Sequence, residues 1–136
     1  MRILLDTCII IDALQAREPF REDAEKIFLH AANNHYTGYI TAKSVTDIYY
    51  LTHRYTHSDQ ESRRILSSLF TIFQVLDTDA IDCQKAILSD MSDYEDAVMV
   101  ETALRTEIDY IITRNVKDYS RSKIRVLQPC EFLQLL

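Results

Sequence analysis

The sequence predicts an α/β protein: a single three-layer α/β/α domain over residues 1–136, with a central parallel sheet of four to five strands. Short apolar runs alternate with longer stretches whose apolar residues recur at helical spacing. This alternation is typical of a parallel sheet covered by helices on both faces. No repeat and no Pro-, Gly- or Ser-rich linker interrupts the chain, so we expect no domain boundary.

The first two strands and the helices between them follow from local patterns. Residues 2–5 are apolar and brief, as in a buried strand. A helix is predicted over Thr7–Leu14, with Asp6 or Thr7 as its cap. Glu22–Ala32 has apolar residues at positions i, i+3, i+4 and i+7, which predicts an amphipathic helix. Tyr36–Ile40 alternates and is rich in β-forming residues, so it is predicted as the second strand.

The rest of the chain continues the alternation. Thr41 can cap a helix that runs to about Arg54, because threonine is a favoured N-cap residue. Pro129 is predicted to open a terminal helix, since proline suits the first helical turn. The remaining predicted elements are helices over 59–70, 80–89 and 93–107, and strands over 73–76, 110–113 and 124–127.

Composition excludes several classes of protein. Gly38 is the one glycine in 136 residues, so no GxGxxG, Walker A or GxSxG motif occurs, and any phosphate must be bound by side chains and metal. No apolar run reaches 18 residues, and the N-terminus lacks the features of a signal peptide, so we expect no membrane association. Three scattered cysteines, Cys8, Cys83 and Cys130, are typical of reduced thiols in a cytoplasmic protein.

Acidic and amide side chains lie where the predicted fold would gather them. Asp6 and Asn115 directly follow predicted strands, and Asp47 and Asp96 lie in the first two turns of helices that follow the same sheet edge. Open α/β sheets bind ligands outside the carboxyl ends of their strands, where the strand order reverses. Converging oxygen ligands favour Mg²⁺ or Mn²⁺ over zinc and suggest phosphate chemistry.

Each of these residues also has a structural interpretation. Asp6 can be a helix cap, Asp93 can cap the helix that contains Asp96, and Asp47 can be a surface acid. Asp12, among apolar neighbours in the first helix, is more readily structural. The combination of these acids favours a functional site more strongly than any one of them does. Two carboxylates about 4 Å apart repel by roughly 4 kcal/mol at an effective dielectric constant near 20. A gathered cluster therefore needs a cation or protons.

A basic stretch adjoins the last of these sites. Residues 114–125 carry a net charge of +4, although the whole chain carries −6. Such a run is either a solvated face or a basic surface that binds a polyanion beside a metal centre. The two interpretations remain open at this stage.

Four segments in order resemble the PIN domain family over nearly the whole chain: Leu4–Asp12, Ile40–Tyr50, Asp93–Ala97 and Ile112–Tyr119. The resemblance implies a small α/β/α domain with an acidic Mg²⁺ or Mn²⁺ site that cleaves RNA. Stand-alone members of this size resemble the VapC-like toxins of toxin–antitoxin pairs. Those toxins often form homodimers and are inhibited by a co-expressed antitoxin, so an antitoxin and a second copy are the expected protein partners.

The resemblance also implies roles for individual residues. Asp6 and Asp96 would bind the metal and, with Asp47 and Asn115, form the catalytic group. Asp47 stands where the family usually has Glu, and Asn115 is an uncharged amide at the fourth position. Asp93 and Asp118 would be auxiliary acids. The other expected contributors are hydroxyls for water or phosphate, and basic residues for the RNA backbone: Thr7, Ser44, Thr113, Arg114, Lys117 and Arg121.

The sequence therefore predicts a metal-dependent endoribonuclease, the toxin of a toxin–antitoxin pair. A non-catalytic PIN-like module that binds metal or RNA is the alternative, because a shorter Asp at position 47 weakens the expected acidic group. The sequence does not separate the two.

Overall fold

Five parallel strands form the central sheet in the order β3-β2-β1-β4-β5. The computed structural model describes all residues, 1–136. The strands are β1 Arg2–Leu5, β2 Thr37–Thr41, β3 Gln74–Leu76, β4 Tyr110–Ile112 and β5 Arg125–Leu127. The α-helices are α1 Thr7–Leu14, α2 Arg21–Ala32, α3 Ala42–Thr56, α4 Asp59–Leu69, α5 Ala80–Ala86, α6 Tyr94–Arg105 and α7 Pro129–Leu133, and a 3₁₀ helix spans Val116–Tyr119.

The strand order reverses at β1. From β1 the chain adds β2 and then β3 on one side, and it returns to add β4 and β5 on the other side. Leu5 pairs in register with Ile112, so the carboxyl ends of β1 and β4 lie side by side. In an open α/β sheet this reversal leaves a crevice outside the strand ends, and ligands bind there.

Both faces of the sheet are buried, as the alternation of side chains in β1 shows. Ile3 and Leu5 belong to a core cluster of 16 buried residues that includes residues of α1, α2 and α3. Leu4 points to the opposite face and belongs to a second cluster of nine buried residues, with Val100 and Ala103 of α6. The predicted three-layer α/β/α architecture is therefore confirmed, with five strands.

The predicted strands and most helices agree with the structure to within one or two residues. Helix α5 is shorter than predicted, because it ends at Ala86 and leaves Ile87 and Leu88 exposed. Helix α3 continues to Thr56 and ends at His57, which has a left-handed conformation with φ of 56°. The 3₁₀ helix was not predicted. No helix in the structure is both long and apolar enough to cross a bilayer.

Candidate active site

A cleft of about 410 Å³ opens at the carboxyl edge of the sheet. Predicted site residues from three different elements line it: Asp6, Thr7, Ser44, Asp47 and Asp96. The strand reversal explains the convergence, since Asp6 follows β1 and the other side chains come from helices that begin at the same edge. The structure thus brings together five of the residues expected from sequence.

Asp6 occupies the N-cap position of α1, yet its side chain makes no capping hydrogen bond. Its backbone N–H donates to the Ile112 carbonyl oxygen at 3.0 Å, which holds it against the end of β4. Its Oδ2 accepts a hydrogen bond from Thr113 Oγ1 at 2.7 Å. Burial raises the pKa of Asp6, although hydrogen bonds from Thr113 and from the Thr7 backbone lower it. The predicted cap position of Asp6 is therefore confirmed, but its carboxylate does not cap the helix, and Asp6 lines the cleft.

Asp96 lines the cleft together with Asp6. Its backbone N–H donates to Asp93 Oδ1 at 2.9 Å, which confirms Asp93 as the cap of α6. Its side-chain Oδ1 accepts a hydrogen bond from the Tyr119 hydroxyl at 3.1 Å. Burial above all, and repulsion from the negative charges of Asp93, Asp6 and Asp118, raise the pKa of Asp96 to about 6. Asp93 and Asp118 therefore act on the site through their charge, without lining the cleft.

Tyr119 contacts the candidate site, and sequence reasoning gave it no role. Its side chain is buried, and its hydroxyl also lies 3.5 Å from Met99 Sδ. Burial and the negative charges of Asp6 and Asp96 raise the pKa of Tyr119, so the phenol stays protonated and remains a hydrogen-bond donor. The unpredicted 3₁₀ helix, which begins at Val116 shortly after the end of β4, places this hydroxyl beside Asp96.

Thr113 is fully buried and links two parts of the site. Its Oγ1 accepts the Asn115 backbone N–H at 3.1 Å and donates to Asp6, so its single hydroxyl hydrogen is directed at that carboxylate. Cys8 Sγ lies 3.7 Å from the same Oγ1. Burial and the charge of Asp6 raise the pKa of Cys8, which keeps this residue a neutral thiol.

Asp47 lines the cleft but is engaged by a neighbour. Lys43 Nζ lies 2.6 Å from Asp47 Oδ2 and 3.0 Å from Glu95 Oε2. The ammonium group therefore neutralises the side chain that was expected as the second acid. Ser44 is buried one residue further on, where its backbone N–H donates to Thr41 Oγ1 at 3.1 Å and confirms Thr41 as the cap of α3.

Arg114, which was predicted to contact RNA, forms an ion pair with a carboxylate of α1. Arg114 Nε lies 2.5 Å from Asp12 Oδ2 and Nη2 lies 3.3 Å from Asp12 Oδ1. The guanidinium carbon also stacks 4.0 Å from the Phe20 ring centroid. Because Asp12 is fully buried, Arg114 is the partner of a core carboxylate, and an RNA contact by this residue stays a prediction. The structural interpretation of Asp12 is confirmed.

The remaining predicted residues lie outside the cleft. Asn115, Lys117 and Asp118 border a separate surface depression with Arg114, and their side chains are exposed. Arg121 is exposed beyond the 3₁₀ helix. The structure does not bring the Asn115 amide to the acidic cleft in this conformation.

Two carboxylates, and not a complete ligand shell, are available to a metal ion. No group of three or more His, Cys, Asp or Glu side chains lies close enough to hold one by itself. Mg²⁺ nevertheless is commonly bound through one or two carboxylates and keeps several waters, unlike structural zinc with its four protein ligands. Asp6 and Asp96 take part in none of the ion pairs of the structure, so neither carboxylate has a basic side chain in direct contact. This donor set fits a hydrated hard cation.

Fold and site together define the class: an open α/β protein with an all-oxygen acidic centre at its topological switch point. The chain belongs to the PIN domain family, because the family model described as PIN domain matches residues 2–117. A comparison with curated proteins finds no significant match. Membership in the family supports nuclease activity.

Solved structures of toxin–antitoxin proteins share the fold. FitAcB from Neisseria gonorrhoeae superposes with a TM-score of 0.70 at 19% identity, over 94% of this chain and 98% of that one. VapBC2 from Rickettsia felis, bound to a DNA fragment from their promoter, gives 0.68 at 14% identity, over 94% and 98%. VapC20 from Mycobacterium tuberculosis, described as a Sarcin-Ricin loop cleaving toxin, gives 0.67 at 13% identity, over 90% and 98%. At these identities the likeness demonstrates a common fold.

Proposed function

We propose that this protein is a metal-dependent endoribonuclease and the toxin of a toxin–antitoxin pair. One observation carries the proposal: Asp6 and Asp96, from different elements, line one cleft without a basic partner, and each is held by a hydroxyl donor. Uncompensated carboxylates destabilise a fold unless they bind protons or a cation. Proteins retain carboxylates in such destabilising surroundings mainly at functional sites.

Asp6 and Asp96 would hold Mg²⁺ or Mn²⁺, the cations that best suit oxygen-only ligands. When bound, the cation supplies Lewis acidity at the phosphoryl group and lowers the pKa of a coordinated water. The chain's own contribution is orientation. Thr113 donates to Asp6 and Tyr119 donates to Asp96, and these hydrogen bonds would hold the two carboxylates in a fixed orientation. Hydrolysis that breaks the bond from phosphorus to O3′ would leave 5′-phosphate and 3′-hydroxyl ends.

The other predicted residues take secondary roles in this proposal. The Thr7 and Ser44 hydroxyls line the cleft and would hydrogen-bond water or a phosphate oxygen. Asp47 would act through a water rather than as a direct ligand, because Lys43 already holds its carboxylate. Asn115 and Asp118 would approach the RNA from outside the cleft. Among the basic candidates, Lys117 and Arg121 are exposed and would contact the RNA backbone.

An antitoxin and a second copy of the chain are the proposed protein partners. The similar structures include VapBC from Salmonella typhimurium bound to DNA and a toxin–antitoxin complex from Klebsiella pneumoniae. Each of these covers at least 93% of this chain, so the whole fold is shared with proteins found in such assemblies. Co-purification with a small basic or DNA-binding protein encoded beside this one is the direct test.

A non-catalytic binding module is the second candidate function. Its support is the engagement of Asp47 by Lys43 and the absence of a third acid close enough to complete a ligand shell. It predicts equal RNA binding with and without Mn²⁺ and no cleavage of any RNA pool.

Cleavage by conservative variants separates the two functions. Asp6→Asn and Asp96→Asn keep side-chain size and an acceptor oxygen while removing the charge, so we expect loss of Mn²⁺-dependent RNA cleavage in both. Asp109→Asn is the matched control, since Asp109 lies at the opposite edge of the sheet and accepts the Arg2 backbone N–H at 2.7 Å. Wild-type rates in either cleft variant, from contaminant-free preparations, would refute the assignment.

A further inference from the structure

Lys43 is the one basic side chain that lines the acidic cleft. Four carboxylates line the same cleft: Asp6, Asp47, Glu95 and Asp96. A polyanion entering it would therefore meet net negative charge, and a single ammonium group is available inside to receive a phosphate. Lys43 lies within the motif segment Ile40–Tyr50, but the sequence analysis gave it no role.

The contacts of Lys43 join the two walls of the cleft. Its Nζ bridges Asp47, on its own helix α3, and Glu95, on α6, at 2.6 Å and 3.0 Å. Six ion pairs have both side chains more than 40% exposed, and the Lys43–Glu95 pair is the one among them that connects two helices. The other five each lie within a single helix at i,i+3 or i,i+4 spacing.

These contacts are weak enough to be exchanged. The Lys43 side chain is 42% exposed and that of Glu95 is 71% exposed. Exposed ion pairs contribute little to stability because water and salt screen them. A lysine is a flexible point charge with three rotatable donors, so it can leave a carboxylate for a phosphate oxygen without a change in the fold.

We propose that Lys43 is the phosphate-binding residue of the cleft, and that its ammonium group passes from Asp47 and Glu95 to an RNA phosphate when substrate binds. This inference rests on the proposed ribonuclease function. The exchange releases the Asp47 carboxylate toward the acidic centre at the moment the substrate arrives. Lys43 thus couples RNA binding to the completion of the acidic group.

The coupling predicts effects of opposite sign in one variant. Lys43→Gln removes the phosphate contact, and we expect RNA to bind about tenfold more weakly, as for loss of one charge-assisted hydrogen bond. The same variant frees Asp47 and removes a positive charge, so we expect a lower dissociation constant for Mn²⁺. If the ion pairs of Lys43 were purely structural, the variant would change neither the RNA affinity nor the Mn²⁺ affinity. Loss of folded protein would weaken the binding of both.

The experiment measures both constants on the folded full chain. Fluorescence anisotropy of a labelled random-sequence single-stranded RNA, with Ca²⁺ in place of Mg²⁺ to suppress turnover, reports RNA binding. Thermal melting across a Mn²⁺ titration reports metal binding. Lys43→Arg should restore RNA affinity. Lys26→Gln is the matched control, because Lys26 forms an i,i+4 pair with Glu22 at 2.7 Å on the exposed face of α2.

The outcomes separate this inference from the proposed function. Weaker RNA binding with tighter Mn²⁺ binding in Lys43→Gln alone supports the exchange. Equal RNA affinity in wild type and Lys43→Gln overturns it, whatever the cleavage assay shows. Lys43-dependent RNA binding without any cleavage by the wild type would keep the inference and remove the ribonuclease. No RNA binding by the wild type would remove both.

Discussion

Asp96→Asn should make the metal-free protein more stable at neutral pH while abolishing its stabilisation by metal. The amide keeps the Oδ1 acceptor for Tyr119 and removes the charge. A pKa raised from 3.8 to about 6 corresponds at full strength to a cost of about 3 kcal/mol for the ionised folded state. Asp96 is only partly buried, so solvent screening reduces the expected gain to about 1 kcal/mol. In a domain of this size that raises the Tm by about 3 °C.

The pH dependence of this gain has a definite sign. The folded pKa of Asp96 lies above its unfolded value, so ionisation costs stability above about pH 6. Below pH 3.8 the carboxyl is protonated in both states and the cost disappears. The advantage of Asp96→Asn over wild type should therefore be full at pH 7 in EDTA and should shrink as the pH falls from 6 toward 4.

Bound Mn²⁺ should make the wild type more stable than Asp96→Asn, the reverse of their order in EDTA. At a Mn²⁺ concentration 100 times the dissociation constant, the wild type should gain about 2.7 kcal/mol, and Asp96→Asn should gain little. Melting curves in EDTA and in Mn²⁺ at pH 5 and pH 7 measure both effects, with Asp109→Asn as the control. A variant no more stable than wild type in EDTA at pH 7, or an equal rise in Mn²⁺ for both proteins, would refute this account of the site.

Three further predictions concern the supporting residues. Tyr119→Phe removes the donor to Asp96, so the pKa of that carboxyl should rise further, and the acidic limb of the cleavage pH profile should move to higher pH while the fold is retained. Arg114→Gln should lower the free energy of unfolding by about 3 kcal/mol in urea titrations, because it leaves the buried Asp12 unpaired. If Arg114 contacts RNA instead, the variant would raise the KM and leave stability unchanged. Gly38→Ala should destabilise by about 1–3 kcal/mol, since the added Cβ would meet a buried phenylalanine ring at 2.6 Å; wild-type stability would show that the ring moves aside.

Helix caps illustrate how far local sequence reaches. Thr41 and Asp93 were predicted as caps, and both accept a backbone N–H three residues later. Those contacts depend on a few consecutive residues, so residue type and spacing suffice to predict them. Asp6 has the same residue type and the same position before a helix, yet its carboxylate accepts from Thr113, 107 residues away. Capping propensity could not reveal that the Asp6 carboxylate accepts from a distant residue instead of capping its own helix.

The basic residues show what a local charge pattern leaves undecided. The run with net charge +4 left open whether it is a solvated face or binds a polyanion, and it did not indicate that Arg114 pairs with Asp12, 102 residues earlier in the chain. Lys43 attracted no prediction, although it bridges the two walls of the cleft through Glu95, 52 residues away. Charge density along a sequence does not indicate which charges a fold uses internally.

The sequence by itself determined the alternation of strands and helices, the buried runs of the sheet and the acidic side chains at strand ends, because these follow from short-range periodicity and residue type. Tertiary structure decided the strand order, which sets β1 between β2 and β4 and brings Asp6 beside Thr113. It also decided that Tyr119 enters the site and that Asp47 is held by Lys43. These are contacts between distant residues, and they exist only once packing of both sheet faces has fixed how the elements lie against each other.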